Sequence, residues 1–174
     1  MRKYLCAFAF VILVGGSFGS SAFADDTLVR FKGGIGVLPV SNVVVVTDTT
    51  TDPDTVTVTV TRNTVRGVNP AGQIWVIREL KADVKVDGRI KVDGRGLLLG
   101  GGNNIGTTNN QSVRARLFCS GVAHDSDLVP LAANGDFQIN DILTPTPPDP
   151  CDSPTLLIVS GGDSWFAAGI PKLD

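Results

Sequence analysis

A short stretch in the second half of the chain places its single histidine beside two aspartates. In SGVAHDSDLVP, residues 120–130, His124 is followed by Asp125 and Asp127. An imidazole beside a carboxylate could act in acid–base chemistry, and neighbouring carboxylates could hold Ca²⁺. A serine hydrolase would also need a positioned nucleophile, and no G-x-S-x-G motif occurs. We keep His124, Asp125 and Asp127 as weak ligand candidates, expect a loop histidine beside surface acids, and assign no catalytic, cofactor or metal residue.

A few further residues could hydrolyse or bind a carbohydrate. A glycosidase needs two carboxyl groups that flank the scissile bond, and the chain has one glutamate, Glu79, so aspartates would have to serve. Trp75, Trp165 and Phe166 could stack on a sugar, although such aromatics in a β domain usually belong to the core. The glycine-rich loop GGGNNIG (100–106) lacks the Lys-Ser/Thr pair of a phosphate-binding loop.

The N-terminus predicts export. Arg2 and Lys3 precede an uncharged apolar run, and Ala22-Phe23-Ala24 has the A-x-A form of a cleavage site. We therefore predict a signal peptide over residues 1–24 and a single secreted β domain over 25–174. The apolar run is short for a membrane span, and no second one follows.

Two cysteines remain after that cleavage, because Cys6 leaves with the signal peptide. An oxidising compartment favours a disulfide between Cys119 and Cys151, and two free buried thiols are the alternative. A closed loop of about 33 residues predicts a stabilisation of roughly 3–4 kcal/mol. A metal site is less favoured, since His124 is the only source of imidazole.

The charge balance argues against a nucleic-acid partner. The net charge is −2, and it becomes −4 when Arg2 and Lys3 leave with the signal peptide. A nucleic-acid-binding domain would show a basic surface instead. We expect no cofactor, and a cell-surface or polysaccharide partner.

Away from these residues the chain has the patterns of an all-β protein, with β-branched runs separated by Gly, Asn, Asp and Pro. VVVVT (43–47) predicts a fully buried strand, and TVTVTVT (55–61) predicts a half-exposed one. The glycines of GGIGVLPV (33–40) predict a bulge or a close backbone approach. We expect a single antiparallel β-sandwich, or alternatively a small β-barrel, of about nine to ten short strands. The expected core residues are Val43 to Val46, Trp75, Ile77, Leu117, Phe137, Leu157 and Trp165.

Charge pairing predicts the register of a long hairpin around KVDGRIKVDGRG (85–96). The stretch QIWVIRELKADVKV (73–86) is the longest strand candidate, and it would pair back across a loop at Val86-Asp87-Gly88. Opposite charges then face each other, whereas a shift of the loop by one residue would align like charges. The opposed residues are Asp83 and Lys91, Lys81 and Asp93, and Glu79 and Arg95. Further from the turn the same face becomes apolar, with Ile77 opposite Leu97 and Trp75 opposite Leu99. Either another element covers these residues, or a bulge at Gly94 and Gly96 turns them to the other face.

A second hairpin is predicted in VPLAANGDFQI (129–139). A loop at Ala133-Asn134-Gly135, with Gly135 left-handed, would place Leu131 opposite Phe137 and Val129 opposite Ile139.

Several stretches resemble a recurring set of secreted bacterial proteins to which no activity is assigned. They are FKGGIGVLPVSNV (31–43), VRGVNPAGQIWVIREL (65–80), RIKVDGRGLLLGGGNNIGT (89–107) and GDFQINDIL (135–143) with the cysteine and the two strands that follow. The resemblance covers most of the predicted mature chain and implies export, without an activity.

Three functions follow as expectations. The first is an exported, non-enzymatic binding or structural module at the cell surface or in the medium. The second is a carbohydrate-active enzyme or sugar-binding module that uses aspartates in a loop cleft. The third is a subunit of a surface fibre.

Overall fold

The computed structural model describes residues 26–50, 52–53 and 55–172. The predicted signal peptide lies outside the described residues. All regular structure in the described part is β, which confirms the predicted class, and none of it forms a helix long and apolar enough to cross a membrane. The strands are β1 (Thr27–Gly36), β2 (Ser41–Asp48), β3 (Thr55–Arg62), β4 (Trp75–Val76), β5 (Glu79–Lys85), β6 (Arg89–Arg95), β7 (Leu98–Leu99), β8 (Ser112–Cys119), β9 (Val122–Asp125), β10 (Val129–Pro130), β11 (Phe137–Ile142), β12 (Thr155–Ser160) and β13 (Trp165–Pro171).

Nine of these strands form one antiparallel sheet, which is curled into a half-barrel. Its order is β10-β8-β12-β13-β1-β5-β6-β11, and β9 also pairs with β8. The two ends of this path approach each other, because residues 131–136 connect β10 directly to β11. A bridge also joins Asp125, at the end of β9, to Thr144, just after β11. The curvature is compatible with both predicted architectures, the sandwich and the barrel.

The charge-selected register of the β5–β6 hairpin is confirmed. Asp83 lies opposite Lys91 and Val84 opposite Ile90. Gly88 has a φ of 87°, and its N–H donates a 2.9 Å hydrogen bond to the Lys85 carbonyl. One face of the hairpin is buried and the other carries the charges, as its alternation requires. The buried face consists of Leu80, Ala82, Val84, Ile90 and Val92.

The ion pairs on the charged face differ from the cross-strand pairs that were expected. The Asp83 carboxylate lies 2.8 Å from Arg30 Nε, on the neighbouring β1. Lys81 contacts Glu79 at 2.5 Å, two residues away on the same strand. The backbone register is therefore the predicted one. The charged side chains, however, bond to residues on the same strand or on β1 instead of across the hairpin.

The long strand predicted over 73–86 is divided into β4 and β5. Trp75 does lie opposite Leu99, but this pair belongs to a separate two-stranded ladder. On the returning side of the hairpin, Gly96 lies between β6 and β7 and has a φ of 64°, a value that favours glycine. The end of β1 covers this apolar part, since a Cβ on Gly36 would lie 2.1 Å from the Trp75 carbonyl oxygen. The predicted close approach is therefore present, and β1 also has a register shift between Phe31 and Gly34.

The burial expected for Val43 to Val46 is wrong. These valines lie on β2, which pairs with β3 alone among the described strands, and they are 45–59 % exposed. β3 is likewise exposed along its length. A run of four valines is compatible with a buried strand, but no other strand of the described part packs against either face. We call β2, β3 and the described residues between them, 49–50 and 52–53, the valine arm.

The remaining core predictions hold. Trp75, Leu117, Phe137, Leu157 and Trp165 are buried. Ile77 is partly buried and packs against this core.

The second predicted hairpin is correct in its turn and wrong in its pairing. Gly135 has a φ of 80° and donates to the Ala132 carbonyl. Beyond Ala132 and Asp136 the strands diverge, because β10 pairs with β8 and β11 pairs with β6. The turn therefore joins two ends of the curled sheet instead of closing a local hairpin.

The predicted disulfide is present. Cys119 and Cys151 are bonded, with their Cα atoms 4.9 Å apart. The bond attaches the proline-rich segment 144–154 to the end of β8, and the Ser120 N–H donates to the Asp152 carbonyl beside it.

Candidate functional site

His124 faces the interior of the fold. It lies on β9, is 2 % exposed, and its Nδ1 is 2.7 Å from the Pro145 carbonyl oxygen. Because a carbonyl can only accept, Nδ1 carries the proton in this contact. Nε2 is buried and has no hydrogen-bond partner among the described residues. The imidazole is thus held against the proline-rich segment and is closed to solvent.

Asp125 points the other way and belongs to a charge cluster on the outer face of β8. Arg116 donates from both Nε and Nη2 to its two carboxylate oxygens, at 2.7 and 2.6 Å. Arg114 lies 3.5 Å from the same carboxylate and also bonds Asp163. The hydrogen bond from Asp125 raises the pKa of Arg116 above its ordinary value. This carboxylate is already occupied by guanidinium groups.

The three ligand candidates do not converge. Asp127 is exposed, and its N–H donates to the Asp141 carboxylate at 2.7 Å. His124 and Asp125 are neighbours on a strand and therefore project to opposite faces. In residues 26–50, 52–53 and 55–172 no three His, Cys, Asp or Glu side chains come together as metal ligands would.

A different set of residues forms a cleft of about 550 Å³. Three segments surround it: residues 71–75, the loop 99–111, and the turn between β12 and β13. Its side chains are amides, hydroxyls, aromatic rings and the aliphatic Ala71 and Leu99, and no ionisable residue in the described part of the chain lines it. The polar side chains are Gln73, Asn103, Asn104, Asn109, Gln111, Ser160 and Ser164. We call this the amide cleft.

A stacked aromatic pair forms the apolar wall of the amide cleft. The ring centroids of Trp75 and Phe166 are 4.0 Å apart, and the planes meet at 10°. Both rings are largely buried, at 4 % and 5 % exposure, so only a small part of each faces the cleft. Trp165 projects to the opposite side of β13, and its indole Nε1 donates to the Asn63 carbonyl at 3.2 Å. Of the three aromatics predicted as a sugar platform, two line the cleft.

Backbone geometry holds the amide-rich loop in place. Asn109 and Asn110 have φ values of 47° and 51°, a region that asparagine tolerates better than most residues. The Leu99 N–H donates to the Thr107 carbonyl, and the Gly106 N–H donates back to the Leu99 carbonyl. These bonds fix the loop to β7 and present its side chains at the rim of the cleft.

The opposite rim is the turn between β12 and β13. The Ser164 N–H donates to Ser160 Oγ at 3.2 Å, and the Asp163 N–H donates to the Ser160 carbonyl. Ala71 is attached to the same rim, because its N–H donates to the Trp165 carbonyl at 3.1 Å. The cleft is therefore bounded by hydrogen-bonded segments on both sides.

The arrangement suits hydrogen bonding to a neutral polar ligand. Each side-chain amide offers two donors and an acceptor, and each serine hydroxyl can do both. The comparison of GGGNNIG (100–106) with a phosphate-binding loop did not consider the amide side chains of residues 100–111. The signal it overlooked is the four asparagines and one glutamine within twelve residues.

No protein-family model, curated protein or solved structure matches this chain. The likeness to secreted bacterial proteins stays a prediction.

Proposed function

We propose that this protein is an exported, non-enzymatic binding module whose amide cleft takes a neutral, hydroxyl-rich ligand such as a segment of polysaccharide. The observation that carries the proposal is the composition of the cleft, with amides and hydroxyls at the rim, aromatic rings on one wall and no ionisable side chain among the described residues that line it. Binding sites of this kind use a few placed polar groups to orient a ligand against apolar surface.

The same composition favours binding over catalysis. Glycoside hydrolysis uses two carboxyl groups beside the scissile bond. The two acids among the weak ligand candidates, Asp125 and Asp127, are not among the cleft residues, and Asp125 is bonded to Arg116. A ligand in the amide cleft would find donors and acceptors without a general acid.

Export is supported by the disulfide. Such bonds persist in oxidising compartments and are rare in the cytosol. An extracellular location would also give a polysaccharide-binding module access to its ligand.

The binding test is isothermal titration calorimetry of the purified protein against a panel of neutral oligosaccharides, with uronic-acid oligomers of equal length for comparison. We expect at least one neutral oligosaccharide to bind and the uronic-acid oligomers to bind more weakly. Asn104→Ala and Gln111→Ala should each weaken binding by about 3–10-fold, the loss of one neutral hydrogen bond. Asn140→Ala is the matched control, because it removes an exposed amide on β11 outside the cleft.

Two outcomes would contradict the proposal. One is a panel in which no neutral oligosaccharide binds at millimolar concentration, or in which the cleft variants bind as the unaltered protein does. The other is the release of shorter sugars during prolonged incubation, which would favour the enzyme hypothesis.

A further inference from the structure

The valine arm presents an apolar face of one residue type. Cross-strand pairing places Val43 opposite Val60 and Val45 opposite Val58, and Val56 continues the row opposite Thr47. The five valines of this face are each 50–59 % exposed. We call them the valine face.

The valine and threonine runs of the arm lack the features that usually keep exposed strands apart. Natural edge strands carry lysines, prolines or inward-pointing charges that prevent pairing with another chain. Residues 43–47 and 55–61 are valines and threonines throughout. A two-stranded hairpin is also only marginally stable in water without a covering element. The exposed arm therefore gains stability from any surface that covers its apolar side.

The base of the arm is fixed to the body of the protein. Asn63 Nδ2 donates to the Leu38 carbonyl at 2.8 Å, and the Val40 N–H donates to Asn63 Oδ1. The Asn63 carbonyl in turn accepts from the Trp165 indole, which belongs to the core. This attachment presents the valine face in a defined direction.

We propose that the valine face is a homotypic docking surface, on which two copies of this chain pack their arms face to face and antiparallel. A two-fold arrangement uses the same surface on both copies and forms a closed dimer. The face is uncharged along its length, so an identical face is an apolar match.

The charges at the two ends of the arm favour the antiparallel orientation. Arg62 ends β3 at the base of the arm. It is two residues after Val60 and therefore lies on the same face as the valines. At the tip the turn carries the exposed Asp52, whereas Asp48 lies on the opposite face of the arm and its carboxylate accepts a hydrogen bond from the Thr50 N–H. In an antiparallel pair each Arg62 approaches the acidic tip of the other copy, whereas a parallel pair would bring tip against tip. Charge complementarity therefore selects a second copy in one orientation.

The apolar area sets the strength of this association. The valine face exposes about 400 Å² per copy, which is comparable to the largest patches on monomeric proteins. Two faces together bury about 800 Å², below the roughly 1,200–2,000 Å² of a stable interface. The dimer is accordingly weak and forms at high local concentration, as on a crowded surface.

Sedimentation velocity of the purified, oxidised protein tests this dimer. We expect the weight-average sedimentation coefficient to rise from that of a monomer to that of a dimer between about 10 µM and 1 mM. Val45→Thr/Val58→Thr should weaken dimerisation at least tenfold while retaining β-branched residues in both strands. Val44→Thr/Val46→Thr is the matched control on the opposite face of the arm and should dimerise as the unaltered chain does.

A second variant tests the orientation. Arg62→Glu places an acid against the partner's acidic tip and should weaken dimerisation by about three- to tenfold at low salt, less at 0.5 M NaCl because salt screens exposed charges. A protein that is monomeric throughout the concentration range would overturn the proposal. So would association that the two double variants weaken equally, or open assemblies larger than a dimer that Val45→Thr/Val58→Thr leaves intact.

Discussion

Two hairpins of similar length lie in different surroundings in this protein. The β5–β6 hairpin has β1 on one side and β11 on the other, and one of its faces is buried in the core. The valine arm has no neighbouring strand among the described residues, and both of its faces are exposed. The arm is nevertheless the more apolar of the two in sequence, because β5 and β6 alternate charged residues with apolar ones.

The difference shows what charged residues contribute to burial. In β5–β6 the charges on one face specify that face as the outer one, so the other face is directed inward. The arm has five valines on one face and two on the other, but neither face carries a row of charges that would specify it as the outer one. Apolar content alone therefore does not place a strand in the core.

The largest expected difference between the hairpins comes from truncating a large side chain. Leu80 on β5 is fully buried, and Leu80→Ala should lower the free energy of unfolding by about 2–5 kcal/mol through lost burial and the cavity left behind. Val46→Ala in the arm, where the side chain is 58 % exposed, should change it by less than about 0.5 kcal/mol. Urea denaturation of both variants measures this, and equal losses would show that the arm is packed against the body.

Substituting valine by threonine makes a closer comparison, because the volume is nearly kept. Val92→Thr on β6 buries an unpaired hydroxyl and should cost about 1–3 kcal/mol. Val58→Thr in the arm leaves its hydroxyl in water and should cost less than about 0.5 kcal/mol in dilute monomer. Thermal unfolding at low protein concentration would detect the difference, and a costly Val58→Thr would argue against an exposed arm.

The charged face of β5–β6 allows a smaller test of its attachment to β1. Asp83 accepts from Arg30 at 2.8 Å and lies 3.3 Å from Lys85, with all three side chains partly exposed. Asp83→Asn should cost about 0.5–1 kcal/mol, allowing for solvent screening. Lys91→Gln is the control: Lys91 lies opposite Asp83, yet no ion pair of Lys91 occurs within the described residues. A double-mutant cycle that shows strong coupling between Asp83 and Lys91 would instead support the cross-strand ion pair.

Acid should weaken the same face slightly. The hydrogen bond from Lys81 lowers the pKa of Glu79, and the hydrogen bond from Arg95 lowers the pKa of Asp93. Depressed pKa values mean that the charged forms stabilise the fold. That stability is complete above the ordinary values near 4 and is lost as the pH falls through the lower folded values.

The melting temperature of the unaltered protein should therefore decrease between pH 6 and pH 3. Glu79→Gln should reduce the size of that decrease, because one of the titrating groups is removed. The reverse order, with the variant more sensitive to acid, would show that the Glu79 carboxylate does not stabilise the fold.

The sequence predicts those parts of the structure for which local chemistry allows a single arrangement. Asp87-Gly88 and the charges around it determined the register of β5–β6, because the competing register aligns like charges. The cysteines left after removal of the predicted signal peptide gave the disulfide. The glycines of GGIGVLPV (33–40) predicted a bulge or a close approach, and at Gly36 another backbone does come too close for a side chain.

The candidate site was less accessible to that reasoning. His124 and its aspartates were selected for their residue types, but the alternation of β9 directs His124 and Asp125 to opposite faces, and Asp127 lies beyond the end of that strand. The amides of loop 99–111 become a site only where the loop meets Gln73 and the turn after β12, and those segments are distant in sequence.

By itself the sequence determined the all-β class, the turns at Gly88 and Gly135, one hairpin register and the cysteine pair, because each depends on neighbouring residues or on a single choice. Only the tertiary structure decided that the turn at Gly135 joins two ends of a curled sheet, that the valine arm lies outside the core, and that amides from three segments form one cleft. Those outcomes depend on which strands find partners across the whole chain, and an alternating pattern is the same whether or not a partner is present.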